Sequence, residues 1–243
     1  MVRIRAQAAI ALAGALGALA GGWPVFGPPS AGAADAPADA ADGALEDDFE
    51  GTRIDESLWV VTYANDFEER IADLVLGRLR LACSTLGTDD ATVKIHGLRS
   101  REPVVDLESG ATVSFDLDWN DQANGCYLRA GVYLSPEAVD DPRTVPHALE
   151  YLYVGVPPGK TGRAWAALRF EGNQVRVLYD EGWPERREGR PLGLQRVRLT
   201  VDRNRLLIEE NGEPLAEVTG LDLPYSRAYL CLQQSSHSNY PLR

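Results

Sequence analysis

The sequence is short of the residues that carry most enzymatic chemistry. Only three histidines and three cysteines occur in 243 residues. Cys83, Cys126 and Cys231 are far apart, so no C-x-x-C spacing can build a zinc knuckle or a dithiol redox centre. There is no G-x-S-x-G elbow, phosphate-binding loop or dinucleotide fingerprint. Basic charge is scarce as well: 24 Lys and Arg stand against 36 Asp and Glu, a net charge of −12. That balance argues against nucleic acid and anionic membrane as partners. Long apolar runs are also missing. The one candidate, residues 8–20, is shorter than the ~20 residues of a membrane span, and Gly21, Gly22 and Pro24 break it.

What is there begins with an export leader. Arg3 and Arg5 form a basic start, residues 8–20 an apolar centre, and Ala31-Gly32-Ala33 a small-residue cleavage site. Residues 1–33 therefore read as a signal peptide. Residues 34–45, rich in Ala, Asp, Gly and Pro, read as a disordered linker, and 46–243 as one domain. Removing the leader takes two basic residues and no acidic ones, leaving 22 against 36 and a net charge of −14. The expected location is secreted, periplasmic or cell-surface, and the expected oligomeric state a monomer. In an oxidising compartment three cysteines allow one disulfide and a free thiol, in any of three pairings, or three buried thiols.

The strongest structural signal lies at residues 195–218. Val197, Leu199 and Val201 alternate with Arg196, Arg198 and Thr200, the period of a half-buried strand. Asp202-Arg203-Asn204 turns the chain back, and Asn211-Gly212 turns it again with type I′ chemistry. Similar alternation recurs at Val113, Phe115 and Leu117, and at Leu128, Ala130, Val132 and Leu134. One helical turn is expected at 135–141, with Ser135 as cap and Pro136 at the first position. About a dozen short strands and almost no helix predict an all-β, two-sheet antiparallel jelly-roll sandwich.

The run D-D-F-E-G-T-R-I-D-E-S-L-W at 47–59, the meander V-R-L-T-V-D-R-N-R-L-L-I-E-E-N-G-E-P-L-A-E at 197–217 and the closing Q-Q-S-S-H-S resemble the concanavalin A-like lectin/glucanase superfamily. This is the jelly roll of laminin G-like modules and family 16 glucanases. The resemblance covers most of 46–240 and implies an extracellular carbohydrate as ligand. The glucanase E-x-D-x-(x)-E strand has no counterpart; the nearest run, Phe115-Asp116-Leu117-Asp118-Trp119, lacks a glutamate. Y-L-R-A-G-V-Y-L at 127–134 and K-I-H at 94–96 resemble short elements of jelly-roll alginate lyases, whose R-x-E-L-R element is absent. In this superfamily a last strand returns to pair with the first. Here the C-terminal strand is expected to be very short or missing, leaving the first strand, at 48–50, with an open flank.

Candidate site residues follow. For ligand binding, Tyr127, Arg129 and Tyr133 share one strand face, and Tyr151 and Tyr153 share another, as stacking surfaces for sugar rings. Trp119, Trp183 and Gln233 add an aromatic pair and an amide. For acid–base chemistry the candidates are His96, Glu150 and His237. Asp47, Asp48 and Glu50 cluster as oxygen ligands that would suit calcium, although no D-x-D-x-D-G loop is present. No other cofactor is expected. Three functions are consistent with these residues: a non-catalytic carbohydrate-recognising domain, a polysaccharide-cleaving hydrolase or lyase, and a structural or adhesion module.

Overall fold

A computed structural model describes residues 4–8, 45–65, 69–84, 93–119, 129–154, 163–182, 193–236 and 241–242. It is built almost wholly of antiparallel strands. In chain order these are β1 (Ile4–Ala8), β2 (Leu45–Asp47), β3 (Trp59–Ala64), β4 (Glu69–Leu74), β5 (Leu79–Ser84) and β6 (Lys94–Ser100). They continue as β7 (Val105–Asp106), β8 (Ala111–Trp119), β9 (Arg129–Ser135), β10 (Leu149–Val154), β11 (Arg163–Arg169) and β12 (Val175–Asp180). The last are β13 (Gly193–Val201), β14 (Arg205–Glu210), β15 (Glu213–Thr219), β16 (Arg227–Ser236) and β17 (Pro241–Leu242).

Two sheets face each other as a jelly-roll sandwich. The smaller runs β15-β14-β13-β8-β1-β2. The larger runs β12-β11-β10-β9-β16-β6-β3, with β7 pairing onto β16. A third sheet, β17-β5-β4, stands apart. The meander that dominates the sequence forms β13, β14 and β15. Asp202 Oδ1 accepts from the Asn204 and Arg205 amides at 2.7 and 2.8 Å, fixing the first reversal. Asn211 and Gly212 take φ values of 53° and 87°, as a type I′ turn requires.

Alternation sets the core. Val197, Leu199 and Val201 of β13 and Val113 and Phe115 of β8 are buried, while Arg196 and Arg198 are exposed. They pack against Leu98, Val132, Leu149, Tyr151, Leu230 and Leu232 of the large sheet. The large sheet is unusual in being covered on its outer face too. There Ile95, Tyr133, Leu152, Val154 and Cys231 form a second apolar cluster.

Two expectations need correction. The helical turn does not follow Ser135; Ser135 Oγ instead closes a local turn by donating to the Glu137 carbonyl at 2.8 Å. A short 3-10 turn forms at Pro142–Thr144, capped by Asp141. The early strand is Leu45–Asp47 rather than 48–50, because Phe49 adopts a left-handed φ of 55° that ends it while burying its ring on Trp59. β2 is an edge strand: it pairs with β1, which lies between β2 and β8 with Arg5 opposite Glu46 on one side and Ser114 on the other, and its outer flank carries no strand among the described residues. Strand β1 belongs to the segment read as a leader. At the other end β17 is two residues long, as expected, and pairs with β5.

Candidate functional site on the outer face of the large sheet

Directly opposed residues in antiparallel strands share a face, so the register sorts every candidate. Across β16, β9 and β10, Cys231 opposes Tyr133 and Tyr133 opposes Glu150. Across β16 and β6, Cys231 opposes Arg99 and Gln233 opposes Gly97. Gln233 also opposes Gly131, and Ser235 opposes Arg129. Arg129, Tyr133, Glu150 and Gln233 therefore share the outer face, together with Arg99, Thr62, Trp165 and Arg169.

Tyr151 and Tyr153 do not join them. They alternate with Glu150 and Leu152, oppose Val132 and Ala130, and are buried in the inter-sheet core. His96 is likewise turned inward: it sits on the Leu98 face of β6, opposite Gln234, whose Oε1 lies 2.8 Å from its Nε2. The histidine and the outer-face residues thus lie on opposite sides of one sheet. That separates the acid–base set that a cleaving enzyme would need. Tyr127, Trp183 and His237 lie outside the described residues, as does the side chain of Trp119 at the end of β8.

Glu150 is fully engaged. Its Oε2 accepts from Arg169 Nε at 2.8 Å, and its Oε1 accepts from Trp165 Nε1 at 2.9 Å. A carboxylate held by a guanidinium and an indole is a fixed acceptor. Beside it, burial and the Glu150 charge push the Tyr133 phenol far above its ordinary pKa, so it stays protonated and keeps a proton to donate.

Among the polar atoms on this face that are buried without a partner in the described residues are Tyr133 Oη, Arg99 Nε and Gln233 Oε1. The Gln233 amide is anchored by its other end, where Nε2 donates to Thr62 Oγ1 at 3.0 Å. The two positions flanking it are glycines for a steric reason. A Cβ at Gly97 would fall 1.9 Å from the Leu232 carbonyl oxygen, and one at Gly131 would fall 2.2 Å from that of Tyr151. No side chain can therefore stand over either flank of Gln233. Between Tyr133 and Arg99 lies Cys231, a free buried thiol whose pKa burial pushes up to about 12. A free Cys231 leaves Cys83–Cys126 as the one disulfide the chain could form.

The acidic cluster at the start of the domain is occupied by its own fold. Asp47 Oδ1 accepts from the Phe49 amide and Oδ2 from Trp59 Nε1, at 2.8 and 2.7 Å. Asp48 Oδ1 accepts from the Glu50 amide. No group of three potential metal ligands is assembled among the described residues. A hollow of about 590 Å³ lies among loops 107–110, 202–204 and 222–224 and shares no residue with the outer face. Its Arg203 is spent on the Leu223 carbonyl and Glu108.

Sequence reasoning missed Trp165, Arg169, Arg99 and Thr62. Each is an ordinary strand residue, and its partner becomes visible only once β10 is set against β11 or β6 against β16.

No family model and no curated protein matches the chain in sequence. Solved structures match in shape. One, described as belonging to work on endo-acting O-glycanases of human gut microbiota that initiate mucin breakdown, aligns with a TM-score of 0.55 at 14% identity over 79% of this chain and 84% of that one. The carbohydrate recognition domain of Emp46p aligns at 0.49 and 10% identity, covering 76% of this chain and 85% of its own. The exoplasmic/lumenal domain of VIP36, with Ca²⁺ and Man3GlcNAc, aligns at 0.42 and 10% identity, covering 76% and 81%. At these identities the likeness speaks to fold alone, and it agrees with the antiparallel β-sandwich described above.

Proposed function

We propose that this protein is an exported, non-catalytic domain that recognises an extracellular carbohydrate through the outer face of its large sheet. One observation carries the reading. Tyr133 Oη, Gln233 Oε1 and Arg99 Nε are buried polar atoms on three adjacent strands, all on one face and all lacking partners among the described residues. Each such atom costs about 1–3 kcal/mol unless something bonds to it. A donor hydroxyl, an acceptor amide oxygen and a cationic donor are together what a row of sugar hydroxyls would satisfy. The fixed Glu150–Arg169–Trp165 group stiffens the neighbouring strands and presents one edge of an indole beside them.

The test is a glycan array run beside assays for new reducing ends and for unsaturated products. Binding without turnover, lost in Gln233→Leu, is the expected result. Turnover abolished by His96→Ala or Glu150→Gln would replace this reading with the cleaving enzyme. A structural module is the second reading, favoured by the apolar cluster of Ile95, Leu152 and Val154 on the same face. A blank array, with Gln233→Leu merely raising stability, would establish it.

A further inference from the structure

Lys94 opens β6 with only 1% of its surface exposed. Its Nζ makes no hydrogen bond in the described residues, and no carboxylate there pairs with it. Lysine is almost never buried this fully unless its charge is compensated. The side chain lies on the inner face of the large sheet, on the opposite side from Tyr133 and Gln233, since Lys94 and His96 alternate with Ile95.

An imidazole and a second cation lie on the same side of the sheet. His96, also 1% exposed, follows two residues along the same face. Opposite His96 on β3 stands Tyr63, and the Arg70 guanidinium of β4 stacks over that ring at 3.4 Å. Arg70 is close enough for its charge to act on the imidazole, adding to the burial that lowers the His96 pKa. Arg70 makes no ion pair with a carboxylate among the described residues. The amide of Gln234 fixes the His96 ring at 2.8 Å. Two cations, Lys94 on the same strand face and Arg70 across Tyr63, thus flank the His96 imidazole, in a protein whose overall charge is −12. An acidic protein has carboxylates to spare for pairing, yet none among the described residues pairs with Lys94 or Arg70.

We propose that Lys94, His96 and Arg70 form a binding site for one oxyanion (a carboxylate, sulfate or phosphate group) at the β3–β6–β16 end of the inter-sheet layer. Lys94 supplies the central ammonium, Arg70 a forked pair of donors from the exposed side, and His96, protonated as the anion enters, a further positive charge. This site is separate from the outer-face carbohydrate site and does not depend on it.

The experiment titrates the full chain with sodium sulfate against sodium chloride at matched ionic strength. The imidazole signal of His96, identified by its loss in His96→Gln, is followed by NMR across pH. Sulfate should shift that signal saturably and raise its apparent pKa, and chloride should not. Lys94→Met should abolish the response and Lys94→Arg keep it. Arg70→Gln, an exposed change that leaves the fold alone, should weaken sulfate binding about tenfold. If Lys94→Met does not fold, the Arg70→Gln arm decides. Sulfate raises the thermal stability of most proteins by exclusion from their surface, so only the difference between native chain and variant counts. Glucuronate beside glucose tells a sugar acid from a free ion: glucuronate competing with sulfate while glucose does not places the oxyanion on a sugar. A chloride response equal to that of sulfate, or a sulfate response surviving in both Lys94→Met and Arg70→Gln, overturns the site. Neutral-glycan binding unchanged in Arg70→Gln keeps this result distinct from the outer-face reading.

Discussion

Arg169 grips a single oxygen of Glu150 with two nitrogens, Nε at 2.8 Å and the NH2 terminus at 2.7 Å. Both side chains are buried, at 9% and 2% exposure. Removing one member of such a pair leaves the other charged and unpaired, at a cost of about 3–5 kcal/mol. Glu150→Gln should therefore lower the urea midpoint sharply. Pairing it with Arg169→Met should recover much of the loss. A Glu150→Gln chain as stable as the native one would show that the pair is solvated.

Tyr133→Phe tests the unpartnered hydroxyl from the other direction. Deleting a buried polar atom that bonds to nothing among the described residues should leave stability equal or raise it by about 1 kcal/mol. Glycan affinity should fall at the same time. Loss of stability without loss of affinity would mean the hydroxyl is satisfied within the fold, and thermal unfolding with a binding isotherm on one sample tells the two apart.

Gly131→Ala and Gly97→Ala should each disrupt the sheet locally. The new methyl would meet a backbone carbonyl oxygen at 2.2 or 1.9 Å, a distance no side-chain adjustment can relieve. Strands β9 and β10, or β6 and β16, must separate, and a loss of roughly 3 kcal/mol is expected. Differential scanning calorimetry of the two variants checks it.

The pH profile should carry the mark of His96. Burial lowers its folded pKa below the ordinary 6.5, with Arg70 adding to the shift and the Gln234 bond opposing it. The unfolded chain therefore binds the proton more readily. Stability should be full above pH ~6.5 and decline as pH falls from there toward the lowered folded pKa. His96→Gln should flatten that limb of the profile in denaturant titrations from pH 5 to 8. An unchanged slope would place the titrating group elsewhere.

Much of the scaffold was readable from residue order. The Val197–Leu199–Val201 alternation and Asn211-Gly212 specify β13, β14 and β15 because period and turn chemistry are local properties. Which face a residue takes is also local, so Tyr133 and Arg129 were correctly placed together. Tyr151 and Tyr153 were equally well placed on one face, but whether that face looks inward depends on which sheet packs against β10. The side of the sheet on which His96 lies depends on the same packing. The Glu150–Arg169–Trp165 group depends on the register between β10 and β11, which side-chain types alone do not encode. Phe49 ended the early strand ahead of expectation because a buried aromatic ring on Trp59 outweighed the usual reluctance of a side chain to adopt positive φ.

Cleavage of residues 1–33 as a leader would reach into the fold itself. Residues 4–8 are laced to β8 along one side and to β2 along the other. Cutting near residue 33 would unlace both seams at once and leave two strand borders facing each other across roughly 9.6 Å, two inter-strand spacings, with amides and carbonyls bare on each. The uncut and cut chains would then be two different objects: one with a continuous back wall, the other with a doorway one strand wide. N-terminal sequencing of the exported chain says which exists, and amide exchange at residues 111–114 says whether the doorway stands open.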